Sequence, residues 1–174
     1  MRQLYIILLF FVYNLTVFSQ ACDKKAILKR INKLEKKYSP SKTEEIYCAD
    51  SYFELGECNM AAADTNYKSN FLKAIHLYKK LFNRDPSSEK KIKCIFKVGL
   101  SYFHLNDCSN ALIYFDKAAG GKYLNPEAVY YKGASLVCLN KCREAEKEFK
   151  TYIQMTNDTL RVKNILTQCK SLGN

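Results

Sequence analysis

Residues 101–111 read SYFHLNDCSNA, and the chain repeats this pattern twice, as SYFELGECNMA at 51–61 and as SLVCLNKCREA at 135–145. Each copy has an apolar stretch, a leucine followed by Gly or Asn, and a cysteine three residues before an alanine. A cysteine repeated at one place suggests catalysis, metal binding or disulfide bonding. The choice among these depends on what the repeat is and on where the chain is exported.

The second and third copies follow a period of 34 residues. Matched pairs recur at that spacing: Gly99 and Gly133, Cys108 and Cys142, Ala111 and Ala145, Phe115 and Phe149. Self-similarity at a fixed period is the signature of a repeat protein, in which each unit packs on its neighbours.

Apolar residues within each unit recur at spacings of three and four, which is the period of an amphipathic α-helix. The second unit shows this run: Ile92, Ile95, Phe96, Gly99, Tyr102 and Phe103. Helix start signals precede the apolar runs: the capping box of Ser41 with Glu44, Asp85-Pro86-Ser87, Asn125-Pro126-Glu127, and Asp158. Each unit is therefore predicted to be a helix, a short turn that carries the cysteine, and a second helix.

This pattern resembles the tetratricopeptide repeat family over roughly residues 42–174. Gly99 and Gly133 match the small residue where helix A crosses helix B, and Ala49 is the expected equivalent in the first unit. The second unit also matches the family's spaced Tyr, Ala, Phe and Ala: Tyr102, Ala111, Phe115 and Ala118. The resemblance implies an all-α solenoid of about three helix-turn-helix repeats that stack into a right-handed superhelix.

The chain departs from the family at two points. The first copy lies 50 residues before the second, so about sixteen residues are inserted near 57–70, as a long turn between the helices or an extended helix B. The family's frequent tryptophan is also absent, because the chain contains no Trp.

The predicted organisation has a leader, a basic capping helix, three repeats and a second capping helix. The ranges are 1–21 for a signal peptide, 22–41 for the basic capping helix, 42–157 for the repeats (about 42–86, 87–122 and 126–157), and 158–174 for the C-terminal cap. Capping helices are expected because stacked repeats leave an apolar face open at each end.

The start of the chain predicts export. Arg2 precedes the apolar run Leu4 to Tyr13, and Ser19 and Ala21 are small residues suited to cleavage after Gln20 or Ala21. The expected location is therefore secreted or periplasmic. An uncleaved membrane anchor and a lipidated Cys22 are the alternatives, although the apolar run is shorter than the roughly 20 residues of a spanning helix.

The net charge of +11 is concentrated in the predicted first helix, CDKKAILKRINKLEKKYSPSK at 22–42. Such a basic balance raises the possibility of nucleic acid or an anionic surface. Export and the lack of RNA-binding or zinc-finger motifs argue against nucleic acid. The basic residues are expected to form a solvated helix face, with binding to a membrane surface as the alternative.

Eight cysteines in an exported chain predict a disulfide framework. A zinc site is not expected, because there is no C-x-x-C and the two histidines, His76 and His104, lie on different units. A catalytic thiol would need a neighbouring base, and His104 beside Cys108 is the only candidate.

Helix spacing restricts the disulfide pairing in a stack of the tetratricopeptide type. Neighbouring helices lie about 8–10 Å apart, whereas bridged Cα atoms lie within about 7 Å, so turn cysteines of successive units should not pair with each other. Each should pair with a cysteine that reaches in from an adjacent helix. The expected pairs are Cys22–Cys58, Cys48–Cys94, Cys108–Cys138 and Cys142–Cys169.

Enzyme motifs such as G-x-S-x-G, H-E-x-x-H and the P-loop are absent from the sequence, so neither catalysis nor a cofactor is expected. The resemblance instead implies that the inner faces of the A helices line a groove for a partner. The matching residues are Ile46, Asp50, Phe53, Lys93, Phe96, Leu100, Phe103, His104, Glu127, Tyr130, Ala134 and Val137.

An apolar, aromatic groove suits a hydrophobic peptide or an amphipathic helix of another protein. The expected function is therefore an exported, non-enzymatic interaction scaffold. Two alternatives remain open: the caps or the insertion cover part of this face, or the protein is a membrane-surface adaptor that uses its basic first helix.

Overall fold

The computed structural model describes residues 22–84, 89–120 and 125–172. The predicted signal peptide and the Asp85-Pro86-Ser87 break lie outside these residues. The described part is all-α and contains eight helices: α1 Lys24–Glu35, α2 Lys42–Ala61, α3 Tyr67–Arg84, α4 Glu89–His104, α5 Cys108–Ala119, α6 Pro126–Cys138, α7 Cys142–Thr156 and α8 Thr159–Leu172.

The helices pack in sequence order, each against the next, as in a helical-repeat solenoid. The hairpins α2/α3, α4/α5 and α6/α7 form three layers, and α1 and α8 lie against the first and last of them. The first helices of successive layers also touch, α4 with α6 and α6 with α8. The all-α repeat architecture predicted from the 34-residue period is therefore confirmed.

Local signals account for the helix boundaries. Ser41 and Glu44 form the predicted capping box: the Ser41 hydroxyl accepts from the Glu44 amide, and the Glu44 carboxylate accepts from the Ser41 amide. Asn125 caps α6 through the amide of Glu127, and Pro126 occupies the first turn. Hydrogen bonds from Lys37 and Ser41 lower the pKa of Glu44 to about 2.

A glycine stands where the two helices of each layer cross. A Cβ atom on Gly56, Gly99 or Gly133 would lie 2.8, 2.8 or 2.7 Å from a ring carbon of Phe71, Phe115 or Phe149, respectively. All three rings are fully buried. The residue equivalent to Gly99 in the first layer is therefore Gly56, and the prediction of Ala49 was wrong.

The turns between paired helices give the same register. Ala63, Asn106 and Asn140 have positive φ angles of 54°, 61° and 59°, and each follows the crossing glycine by seven residues. In each turn the amide of this residue donates a hydrogen bond to the carbonyl of the residue three positions before it. The amide of the next residue donates to the carbonyl five positions before itself. This is the Schellman motif, which ends a helix in the left-handed region.

The first layer is longer than the second but shorter than the 50-residue spacing of the sequence copies suggests, so its insertion is nine residues (43 against 34) and not the sixteen predicted. Gly56 and Gly99 are 43 positions apart, whereas Gly99 and Gly133 are 34 apart. The helix α2 continues through SYFELGECNMA to Ala61, so Cys58 lies in a helix and not in the predicted turn. Most of the predicted insertion is helical, with a short link between Ala61 and Tyr67.

Ala63 is a test of this register, because the left-handed region disfavours residues that carry a Cβ atom. We expect Ala63→Gly to stabilise the fold by about 0.5–1 kcal/mol, measured by urea unfolding. The matched control is Ala62→Gly, where φ is −86° and glycine should only lose stability. Equal effects of the two changes would contradict the turn assignment.

Candidate functional site

Three disulfides tie neighbouring layers together. They join Cys22 to Cys58, Cys108 to Cys138, and Cys142 to Cys169, with Cα separations of 5.9, 6.2 and 5.4 Å. These separations fall in the usual range for a disulfide. The pairs are three of the four that were predicted, and they are compatible with an oxidising compartment outside the cytoplasm.

The fourth predicted pair, Cys48–Cys94, was wrong. Both residues are buried free cysteines, and burial raises the pKa of both thiols, that of Cys94 to about 11. The charges that act on Cys48 belong to Glu35 of α1 and Lys73 of α3. Those that act on Cys94 belong to Asp50 and Lys93. The two thiols therefore face different neighbours, so matching them by level along successive helices was not sufficient.

Thiol labelling checks this arrangement. An excess of alkylating reagent should leave the folded, unreduced protein unmodified and should label two cysteines, Cys48 and Cys94, once it is unfolded without reductant. Reduction before labelling is the positive control and should give all eight cysteines. A Cys48–Cys94 peptide in a non-reducing digest would contradict the structure.

The groove residues predicted in the first layer are partly committed to the core. Phe53 is 1% exposed, its ring lies edge-on to Phe71 with centroids 5.6 Å apart, and Lys97 Nζ lies 3.9 Å above it. Asp50 accepts a hydrogen bond from the hydroxyl of Tyr78. Ile46 is partly exposed.

The second layer keeps more of its predicted surface open. Lys93 is exposed, and Phe96 is partly exposed, with its ring centroid 5.7 Å from that of Phe115 and 6.0 Å from that of Tyr131. Leu100 is buried. Phe103 packs on the same two rings as Phe96, at 6.4 and 5.6 Å.

His104 lies between layers and not in an open groove. Its ring stacks on Phe71 with centroids 5.0 Å apart, and its Nε2 atom lies 3.7 Å from a carboxylate oxygen of Glu57. Only 16% of its side chain is exposed. The structure therefore assigns His104 to packing of α4 against α2 and α3.

The third layer is covered by the C-terminal helix. Arg161 of α8 donates to both carboxylate oxygens of Glu127, at 2.6 and 2.9 Å, and its guanidinium lies 3.8 Å from the ring centroid of Tyr130. Burial raises the pKa of Tyr130 to about 12. Val137 and Ala134 are buried as well. The cap therefore occupies this part of the predicted groove.

Sequence reasoning missed the role of Arg161, although the repeat contained a signal for it. Lys93, Glu127 and Arg161 follow one another at intervals of 34 residues. Ala128 and Val162 share the same spacing, and both are fully buried. Continuing the period past the third unit would have placed α8 as a further A helix and Arg161 next to Glu127.

Arg161 should hold α8 in place through its planar, two-donor geometry, which lysine cannot reproduce. We expect Arg161→Gln to lower the free energy of unfolding by about 1–2 kcal/mol, since it removes hydrogen bonds to a carboxylate and a cation–π contact. Arg161→Lys should lower it by less, because lysine keeps the charge and loses only the two-donor geometry. Arg143→Gln is the matched control, because Arg143 is exposed and should cost little. An equal loss for Arg161→Gln and Arg143→Gln in urea unfolding would contradict this role of Arg161.

The described residues bring together no group of three His, Cys, Asp or Glu side chains that could hold a metal ion. Hollows among them include a cavity of about 70 Å³ beside Cys94 and an open cleft of about 370 Å³ that includes Ile113, Lys132 and Glu148. None of the eight helices has the length and apolarity needed to cross a membrane. No protein-family model matches the chain.

Proposed function

We propose that the chain is an exported, non-enzymatic scaffold of the tetratricopeptide type that binds a segment of another protein on the inner face of its first two layers. The observation that carries this proposal is the contrast along that face. The third layer is covered by Arg161, whereas Lys93 is exposed and Ile46 and Phe96 are partly exposed. Neither a cofactor nor a metal takes part in this function.

The open region combines apolar surface with positive charge. Ile46 comes from α2, and Lys93, Phe96 and Lys97 come from α4, where Lys93 and Lys97 are one helical turn apart. Asp50, the acidic residue predicted for this part of the groove, already accepts a hydrogen bond from the hydroxyl of Tyr78. We therefore expect an amphipathic partner segment that places apolar side chains on Ile46 and Phe96 and carboxylates near the two lysines.

Rigid layers favour this mode of binding. Three disulfides join successive helices, and the hairpins are held at their crossings by buried phenylalanine rings. A preorganised surface loses little conformational freedom when a partner binds, so more of the contact energy appears as affinity. The disulfides also support a secreted or periplasmic location, in agreement with the leader predicted at residues 1–21.

A capture experiment tests the proposal. The double variant Ile46→Glu/Lys93→Glu should lose at least tenfold in recovery of partner proteins from the exported fraction, because it places acidic charge on the apolar surface and removes a cation. The matched control is Ile113→Glu/Lys117→Glu on the exposed side of α5, where Ile113 is 50% exposed. Circular dichroism and urea unfolding should show that both variants remain folded.

The control variant should recover the same proteins as the unmodified chain. If the Ile46/Lys93 variant also recovers them undiminished, the inner face of the first two layers is not the binding site.

A further inference from the structure

The outward face of α1 and its C-cap residue carry a row of four lysines, Lys25, Lys29 and Lys33 in the helix and Lys36 at the cap, which we call the lysine stripe. At 100° and 1.5 Å per residue the stripe covers an arc of about 80° and a length of about 17 Å. Ile27 and Ile31 lie on the opposite side of the helix and are buried. The stripe therefore faces directly away from the body of the protein, and all four lysines are exposed.

Other cations of this region are already engaged within the fold. Lys24 pairs with Asp64 at 3.4 Å, Arg30 pairs with Glu54, and Lys37 pairs with Glu44 at 2.7 Å. In the part of the chain that the structure describes, the four stripe lysines form no such ion pair. Glu35 lies at the end of α1, and its Oε1 atom accepts a hydrogen bond of 2.6 Å from the Tyr52 hydroxyl. The same oxygen lies 3.7 Å from Nζ of Lys73. The fold thus pairs several cations of this region with carboxylates and leaves the four stripe lysines exposed.

The stripe is held on a rigid support. Cys22, two residues before α1, is bonded to Cys58 of α2, and Ile27 and Ile31 pack with Leu55. The helix is therefore formed and docked before any partner arrives. Its apolar side is already committed to the core, so α1 cannot insert that side into a bilayer as free amphipathic helices do.

We propose that the lysine stripe docks the protein on the surface of a lipid bilayer that contains anionic headgroups. Lysine ammonium groups are compact, mobile point charges, and four of them along one line match a charged surface more closely than a shaped pocket. Protein interfaces instead concentrate their energy in aromatic and arginine anchors and are depleted of lysine at their centres. The stripe contains no aromatic residue and no arginine.

A tyrosine next to the stripe supports the choice of a bilayer. Tyr38 follows the stripe by two residues, and its side chain is fully exposed at 104% of the reference area. Tyrosine is enriched at the level of lipid headgroups, where its ring and hydroxyl meet apolar and polar surroundings. Leu28, which is 47% exposed, adds a second apolar side chain beside Lys29.

Vesicle co-sedimentation tests the proposal with the purified chain, whose N-terminus is first identified by mass spectrometry. Vesicles of phosphatidylcholine with about one third phosphatidylglycerol should bind the protein at 0.1 M salt, and pure phosphatidylcholine vesicles give the baseline. Each lysine near an anionic bilayer contributes about a fivefold gain in partitioning. Changing all four stripe lysines to Gln should therefore weaken binding several hundredfold, and 0.5 M salt should release the unmodified protein.

The matched control removes the same charge elsewhere, by changing Lys117, Lys147, Lys150 and Lys163 to Gln, all of which are exposed. The fold loss of vesicle affinity in this variant should be less than a tenth of the fold loss in the stripe variant. Sodium phosphate at equal ionic strength should release no more protein than sodium chloride, because the ligand is a charged surface and not free phosphate. The Ile46→Glu/Lys93→Glu variant should lose far less affinity than the stripe variant, which separates this proposal from the scaffold function.

Three results would overturn the proposal. The first is an equal loss of vesicle affinity in the two lysine variants, and the second is binding that does not depend on phosphatidylglycerol. The third is a protein that fails to bind the vesicles but captures a soluble acidic protein through the stripe.

Discussion

In each layer a glycine of the first helix lies against a buried phenylalanine ring of the second, and the whole stack depends on that contact. Gly56, Gly99 and Gly133 leave room for one phenylalanine ring each, and all three rings are fully buried. The same rings reach the next layer. Phe115 lies 5.4 Å from Tyr131, and Phe71 lies 5.0 Å from His104. The spacing within a hairpin therefore also sets the spacing between hairpins, because close-packed interiors transmit changes in volume.

Covalent and ionic links complete the ends of the stack. The Cys22–Cys58 bond holds α1 at the open side of the first layer, and Cys142–Cys169 holds α8 at the last. Arg161 adds the electrostatic part at the C-terminal end, through Glu127 and the ring of Tyr130. A chain of 174 residues with open apolar ends would otherwise lose part of its core to solvent.

The surface that remains for partners is defined by what this packing has used. Cations lie over two aromatic rings of the inner face, Lys97 over Phe53 and Arg161 over Tyr130. These contacts turn an expected apolar groove into a mixed surface in which aromatic rings lie below positive charge. The outer face of α1 is the counterpart, because within the described residues its lysine stripe forms no ion pair. The proposed scaffold and membrane roles use these two different surfaces.

Local sequence signals were sufficient for most of the helices. The 34-residue period, the capping residues and the Leu-Asn turns at Asn106 and Asn140 predicted the second and third layers. Three disulfide pairs also followed, because a repeat of fixed geometry brings neighbouring helix ends to bonding distance. Such signals act within a few residues or through a regular period. The sequence by itself therefore determined the all-α class, the hairpins and these three disulfides.

The tertiary structure decided the register of the first layer and the use of its surfaces. A shift of seven residues is two helical turns and preserves the face of a helix, so the copy at 51–61 looked equivalent although Gly56, and not Ala49, meets the facing ring. The free state of Cys48 and Cys94, the packing of His104 and the position of Arg161 over Tyr130 depend on which side chains face one another. Periodicity specifies the face of a helix, and only the packed neighbours specify what that face meets.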